Sequence, residues 1–321
     1  MATMYLNTDT GAPGLTLGNG ASFSFNAFKL ILKAVLVSGY GSKPAAGWVL
    51  VAEGTNYLVL RNGPGSGYIC FTLTGTSFAV RVTMAATFDG VVSDIITGQG
   101  VKTGTAANNA VPHYLALTSL ALNAQYSWAF VADARSVLMT VYCWGGNSNA
   151  QYANLTGQAD QGLTLAFGED SGGNFMALGG VNTTNFSSAT NDLGSGGLTA
   201  LRDPATGLLV DTGSIAPVTP LSQGQDTGQT VYPLEQVDLV RFPWMVATKA
   251  AGFIRGLARQ PASVGYLNYA LRSVGRGSVY TDITNANAAT PFDLGPGLSV
   301  VPLKVRWTVG GLYMTLDARF W

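Results

Sequence analysis

Hydrophobic residues recur along this chain at two different periods, and the change between them falls near Trp48. Before it, SFNAFKLILKAVLVSGYG sets Phe28, Leu32, Val35 and Leu36 three or four residues apart, on one face of a helix. Ser24 or Asn26 can cap its first turn, and Gly39 can end it in a left-handed turn. Lys29 and Lys33, one turn apart, are expected on the solvent side. After Trp48 the period falls to two. WVLVAEGTNYLVLRNGPGSGYICFTLTG reads as three strands joined by turns of hairpin length. FAVRVTMAATF extends the meander, with Phe78, Val80, Val82 and Met84 on one face and Arg81 and Thr83 on the other. WAFVADARSVLMTVYCWGG gives two strands about a turn near Asp133 and Arg135, and LTLAFGE another, so residues 1–170 are expected to hold one helix and about seven strands.

Residues 171–230 break the pattern. SGGNFMALGGVNTTNFSSATNDLGSGG and SIAPVTPLSQGQDTGQT are poor in large apolar residues and rich in turn formers, which predicts a long loop or insertion off the core. Residues 231–321 return to strand-like text in VDLVRFPWMVA, AGFIRGLARQPASVGYLNYALRSVG and LSVVPLKVRWTVGGLYMTLDARFW. In the last of these, Val305, Trp307 and Val309 alternate toward a Gly310–Gly311 turn, and Tyr313, Thr315 and Leu316 return. Phe320 and Trp321 are expected to be docked, since loose aromatic tails are uncommon. The expected fold class is therefore mainly β: a sandwich or meander of antiparallel strands with α+β elements, one N-terminal helix packed on the strands, and room for two related domains.

Composition narrows the partners. Charged residues are 11% of the 321 and their formal sum is zero, against roughly 25% in an ordinary soluble domain. No long-range field draws in nucleic acid, anionic lipid or an acidic substrate, so neither nucleic acid nor membrane is an expected partner. The surface must be built from Gly, Ser, Thr, Asn and Gln, with little charge to hold molecules apart, which suits a protein living inside an assembly. Cys70 and Cys143 lie in apolar runs and read as small buried hydrophobes, with a disulfide as the alternative. The opening MATMYLNTDTGAPG lacks a basic segment followed by an apolar one, and the apolar run from Phe28 to Val37 is broken by Lys29 and Lys33. Neither a signal peptide nor a membrane span is expected.

Several stretches offer chemistry. LLVDTGSI, residues 208–215, presents Asp211 in the way aspartic proteases present a catalytic carboxylate, and Asp9 and Asp226 begin two more Asp-Thr-Gly triplets. A working dyad needs two carboxylates sharing one proton, supplied in a single chain by two lobes. Asp211 and Asp226 are too close in sequence for that, and no apolar strand leads into Asp9. RDPATGLLVDTG reads more simply as a hairpin and a turn, leaving an aspartic hydrolase as a remote alternative. His113 is the lone histidine, and no serine lies in a Gly-x-Ser-x-Gly elbow, so neither a triad nor a transition-metal site is expected. GNGASF at 18–23 and RNGPGSG at 61–67 lack the Gly-Lys-Ser/Thr of a phosphate loop and read as turns. Asp170, Asp192 and Asp203 follow no calcium-loop pattern. The expectation is no enzyme, no metal and no cofactor. Trp48, Trp128, Trp144 and Trp307 sit in alternating patterns and read as core. Tyr152, Phe175 and Phe186, in polar text, are the candidates for a surface that binds glycan or pilus.

The segment GYGSKPAAGW, Gly39 to Trp48, together with YLNTDTGAPGL before it and WAFVADARSVLMTVYCWGG after it, resembles a family of tailed-bacteriophage virion proteins. FIRGLARQP near Phe253 extends the likeness, which covers about half of the chain with one specific motif. The resemblance implies a structural component of the particle in neck, tail, baseplate or capsid surface, assembled in the bacterial host cytoplasm. Its implied partners are other copies of itself and other virion proteins, and it brings no catalytic residue with it. A host-surface binding module of the virion is the alternative. The motif itself reads as a packing corner. Gly39 and Gly41 break the helix, Lys43-Pro44 forces an extended exit, and Ala45, Ala46 and Gly47 let the backbone pass beneath the helix before Trp48 opens the sheet. Tyr40 lies between the two helix-breaking glycines.

Overall fold

The computed structural model describes residues 1–15, 24–74, 79–102, 113–116, 125–144, 162–179, 198–202, 206–209, 217–218, 240–246, 249–259, 292–293, 299–302 and 312–321. Among these, the strands up to residue 170 are β1 (Thr3–Leu6), β2 (Val49–Glu53), β3 (Tyr57–Arg61), β4 (Tyr68–Leu73), β5 (Ala79–Ala85), β6 (Gly90–Val92), β7 (Ile95–Thr97), β8 (His113–Ala116), β9 (Gln125–Ala132), β10 (Ser136–Trp144) and β11 (Gly162–Glu169). The helix α1 (Phe25–Lys33) follows β1. Beyond come β12 (Phe175–Gly179), β13 (Leu198–Ala200), β14 (Pro217–Val218), β15 (Val240–Val246), β16 (Lys249–Arg259), β17 (Phe292–Asp293), β18 (Ser299–Pro302) and β19 (Leu312–Thr315), then a 3₁₀ turn at Ala318–Phe320. The protein is mainly β, its strands paired in antiparallel sheets. The short strands β1, β6, β7 and β8 raise the number before residue 170 above the expected seven.

Ser24 is the helix cap: its Oγ accepts from the Ala27 amide at 3.2 Å. The helix widens into a π turn over Ala34–Ser38 and stops at Gly39, whose φ is 75°. Phe28, Leu32, Val35 and Leu36 form the buried face as the spacing predicts. Lys29 departs from expectation and is buried. Its Nζ donates to Gly54 O at 2.7 Å and Thr55 O at 3.4 Å, and lies 3.3 Å from Glu53 Oε1. The turn between β2 and β3 folds over the helix and supplies two carbonyls and a carboxylate, a full set of acceptors for a buried ammonium. Lys33 alone keeps the surface position, 2.8 Å from Glu53 Oε2.

Three larger sheets stack in layers, with the helix between the first and the second. The first runs β1-β9-β10-β11-β12-β13, the second β2-β3-β4-β5-β8, and the third β14-β15-β16-β19-β18-β17. Alternation along the first sheet assigns its side chains to two cores. Phe130, Val137, Met139, Leu165, Phe167, Phe175 and Ala177 face α1 and the second sheet, whose Leu58, Leu60, Ile69, Phe71, Val80, Val82 and Met84 complete the cluster. Ala129, Val131, Leu138, Ala166, Met176 and Leu178 point the other way, onto Ile254, Leu257, Val301 and Met314 of the third sheet. The first sheet is thus covered on both faces, which is why its strands read as unbroken apolar runs. On the outer face of the second sheet, the β6–β7 hairpin covers Val59, Cys70 and Ala85 with Ile96. Cys70 is a free, buried thiol as expected, its ionisation pushed up by burial.

The described residues of the stretch 171–230, expected to lie off the core, contribute three strands to the sheets: β12 and β13 to the first and β14 to the third. All five residues of β12 are buried, and β13 pairs with β12 from Met176↔Ala200 to Leu178↔Leu198. Only five apolar-rich residues among glycines, serines and asparagines were needed, so average composition hid the strand.

Candidate functional site

Two junctions gather polar side chains from distant segments among the described residues. The first is the Gly39–Trp48 corner. Gly39, Gly41 and Gly47 all adopt positive φ, at 75°, 53° and 97°. A Cβ on Gly39 would stand 2.6 Å from Lys43 O, and one on Gly41 would collide with Thr10 O, so glycine is required at both by space as well as by torsion. Tyr40 and Lys43 exchange backbone hydrogen bonds of 3.1 and 2.8 Å, folding the segment into a tight loop. The chain then runs under the helix end, where Ala46 N donates to Val35 O and Gly47 N and Trp48 N both donate to Leu36 O. These are carbonyls that a helix terminus leaves without intrahelical partners. Pro44 O accepts from the Tyr5 hydroxyl at 2.9 Å.

The same corner grips the N-terminal arm. The Asp9 carboxylate accepts from Leu6 N at 2.8 Å and from the Tyr40 hydroxyl at 2.9 Å, and lies 3.5 Å from Lys43 Nζ. Lys43 Nζ also donates to Met4 O at 2.9 Å. Burial first, and then the adjacent Asp9 carboxylate, push the Tyr40 phenol well above its ordinary range. Asp9 N donates to Leu6 O and Ala12 N to Asp9 O, so this Asp-Thr-Gly triplet is a turn. Asp211 and Asp226 lie outside the described residues.

The second junction is the β9–β10 turn at Asp133–Arg135. Arg255 of β16 reaches across from the third sheet, buried, with Nη2 at 2.7 Å and Nη1 at 3.2 Å from the two Asp133 carboxylate oxygens. Asp133 Oδ1 also accepts from the amides of Arg135 and Ser136 at 2.8 and 2.9 Å. Arg255 Nη1 donates to Ser136 Oγ at 2.9 Å, and its guanidinium lies 5.3 Å from the centre of a Trp321 ring. From the other side Trp48 Nε1 donates to Asp133 O at 2.9 Å, and Gly63 N to Ala134 O at 2.7 Å. The Arg135 guanidinium pairs with Glu169, whose second oxygen accepts from Asn62 at 3.2 Å. One turn therefore ties all three sheets together, and sequence reasoning located it only as a hairpin. Nothing in the local text of FIRGLARQP announces that Arg255 is an internal cation.

The remaining candidates fall as follows. Phe175, proposed for a recognition surface, is instead core: 2% exposed, in β12, 6.3 Å from the Trp48 ring centre and packed over Gly67. A strand lies where a loop was expected, and its parity turns Phe175 inward. Tyr152 and Phe186 lie outside the described residues, as do Asp192, Asp203 and Trp307. Trp48 and Trp128 are buried core residues. His113 lies in β8. Asp170 is buried in a turn of its own, accepting from the amides of Gly172 and Asn174, each at 2.8 Å. Among the described residues no group of three or more His, Cys, Asp or Glu is placed to hold a metal ion, and no helix is long and apolar enough to cross a membrane. No family model, curated protein or solved structure matches this chain.

Proposed function

We propose that this protein is a structural component of a tailed-bacteriophage particle, acting through assembly contacts with copies of itself and with other virion proteins rather than through catalysis. The reading starts from the resemblance of Gly39–Trp48 to virion proteins. The observation that carries it is how the chain spends its charges. Lys29, Lys33 and Glu53, Lys43 and Asp9, Arg135 and Glu169, Arg255 and Asp133, and Arg319 and Asp317 are all engaged in ion pairs within the molecule. In a chain only 11% charged, this pairing among the described residues lowers the charge left for the exterior, which suits a surface covered by neighbours. The edge strand β2 adds exposed Val49 and Leu50 to that exterior. Neck, tail, baseplate and capsid surface are all compatible sites for such a component.

Mass spectrometry of purified particles tests the reading directly, with cryo-electron microscopy to trace the chain in them. Stoichiometric presence on a symmetric ring or lattice is the expected result. Absence from particles, with no binding of the purified protein to itself or to other virion proteins, overturns it.

A further inference from the structure

Strand β1 is an edge of the first sheet, paired to β9 on one side only. Asn7 N donates to Trp128 O at 3.0 Å, so the odd-numbered backbone groups face β9 and those of Met4 and Leu6 face outward. An outward row of this kind is a template on which another strand can add. Here three groups of the row are occupied. Lys43 Nζ takes Met4 O at 2.9 Å, the Asp9 carboxylate takes Leu6 N at 2.8 Å, and Asp9 N takes Leu6 O at 3.0 Å. Tyr40 and Lys43 hold Asp9 in place from behind, and the three corner glycines bring them there.

We infer that the Gly39–Trp48 corner is an edge guard: with Asp9, it withholds the backbone of β1 from strand addition by a second copy of the chain. The inference is independent of the virion reading, because it concerns which edge stays closed whatever the molecule assembles into. A motif that only packed the helix end would need the carbonyl contacts to Val35 and Leu36 and no lysine on Met4 O. The guard explains why Tyr40, Lys43 and Asp9 converge on one strand edge from two distant segments.

The test is sedimentation velocity on the full chain over a wide concentration range. The variant D9A/K43A frees Met4 O and Leu6 N, leaves Leu6 O with the residue 9 amide, and is expected to gain a concentration-dependent association step that the unaltered protein lacks. Adding Leu6→Pro, which removes an outward N–H at a position where an edge strand tolerates proline, is expected to abolish that step. A folded D9A/K43A protein that sediments as the unaltered chain does at every concentration overturns the inference. So does association that Leu6→Pro fails to reverse. Should D9A/K43A lose its near-ultraviolet circular dichroism, Lys43→Met frees Met4 O alone while keeping the aliphatic stem, and a folded Lys43→Met protein that sediments as the unaltered chain does at every concentration overturns the inference.

Discussion

Replacing Asp133 with asparagine isolates the charge at the junction of the three sheets. The amide oxygen still accepts from the Arg135 and Ser136 amides, so the turn survives, but Arg255 loses its counter-charge. Arg255 is 7% exposed and retains the amide oxygen at the Oδ1 position, the Ser136 hydroxyl and the Trp321 ring, none of which carries a charge. Breaking a buried pair by removing one partner costs about 3–5 kcal/mol, because the other charge is left buried. The opposite deletion, Arg255→Met, is milder. The aliphatic stem is kept, and Asp133 keeps two amide donors with its side chain 13% exposed, so the loss is about 1–3 kcal/mol. The double variant is expected to cost less than the sum of the two, with a coupling of about 1–3 kcal/mol. Urea unfolding followed by tryptophan fluorescence gives all three values from the shift in midpoint. An Arg255→Met variant that loses as much as Asp133→Asn, or strict additivity in the double variant, refutes the claim that the buried guanidinium is the costly partner.

Three further outcomes are expected. Gly41→Ala meets Thr10 O as well as an unfavourable φ, whereas Gly173→Ala meets nothing within 4 Å, so thermal denaturation should show a much larger loss for the first than the ~1–2 kcal/mol of left-handed strain in the second. Phe175→Ala should cost about 3–5 kcal/mol in chemical denaturation, and a near-neutral result would return that residue to the surface. Hydrogen bonding from Lys33 chiefly holds the Glu53 carboxyl below its ordinary range, opposed by burial and aided by Lys29. A depressed carboxyl contributes stability above its unfolded value of about 4.3 and loses it as pH falls through the lower folded value. The stability gap between the unaltered protein and Glu53→Gln should therefore be flat above about pH 5 and close in acid.

Local elements were legible where one physical signal dominated. Ser24 and Gly39 bounded the helix because capping and left-handed termination are read from single residues, and Val80, Val82 and Met84 were assigned to one buried face by alternation alone. Lys29 was misplaced because a periodicity argument treats every lysine as wet, and the acceptors that bury it come from a turn more than 20 residues later. Phe175 was misplaced for a related reason: once both faces of a sheet are covered, inward and outward residues are equally apolar, and a five-residue strand in polar surroundings leaves no contrast to detect. The charge junction was invisible because its members, Trp48, Asp133, Glu169 and Arg255, meet only through tertiary folding. The glycine corner was legible as backbone, while its hold on Met4 and Leu6 required knowing which edge of β1 faces out.

The double-sided first sheet also sets a timetable for synthesis. One of its faces is covered by α1 and the second sheet, formed largely from residues that leave the ribosome before β9 does. The other face, carrying Val131, Leu138, Ala166, Met176 and Leu178, waits for Ile254, Leu257, Val301 and Met314. At elongation rates of about 5–20 residues per second, the interval between Ala200 and Met314 is on the order of ten seconds, during which a nascent chain carries a bare apolar slab. Chaperone demand should peak in that window, and ribosome-bound chains halted just after β13 should be the ones that ribosome-associated holdases retain longest.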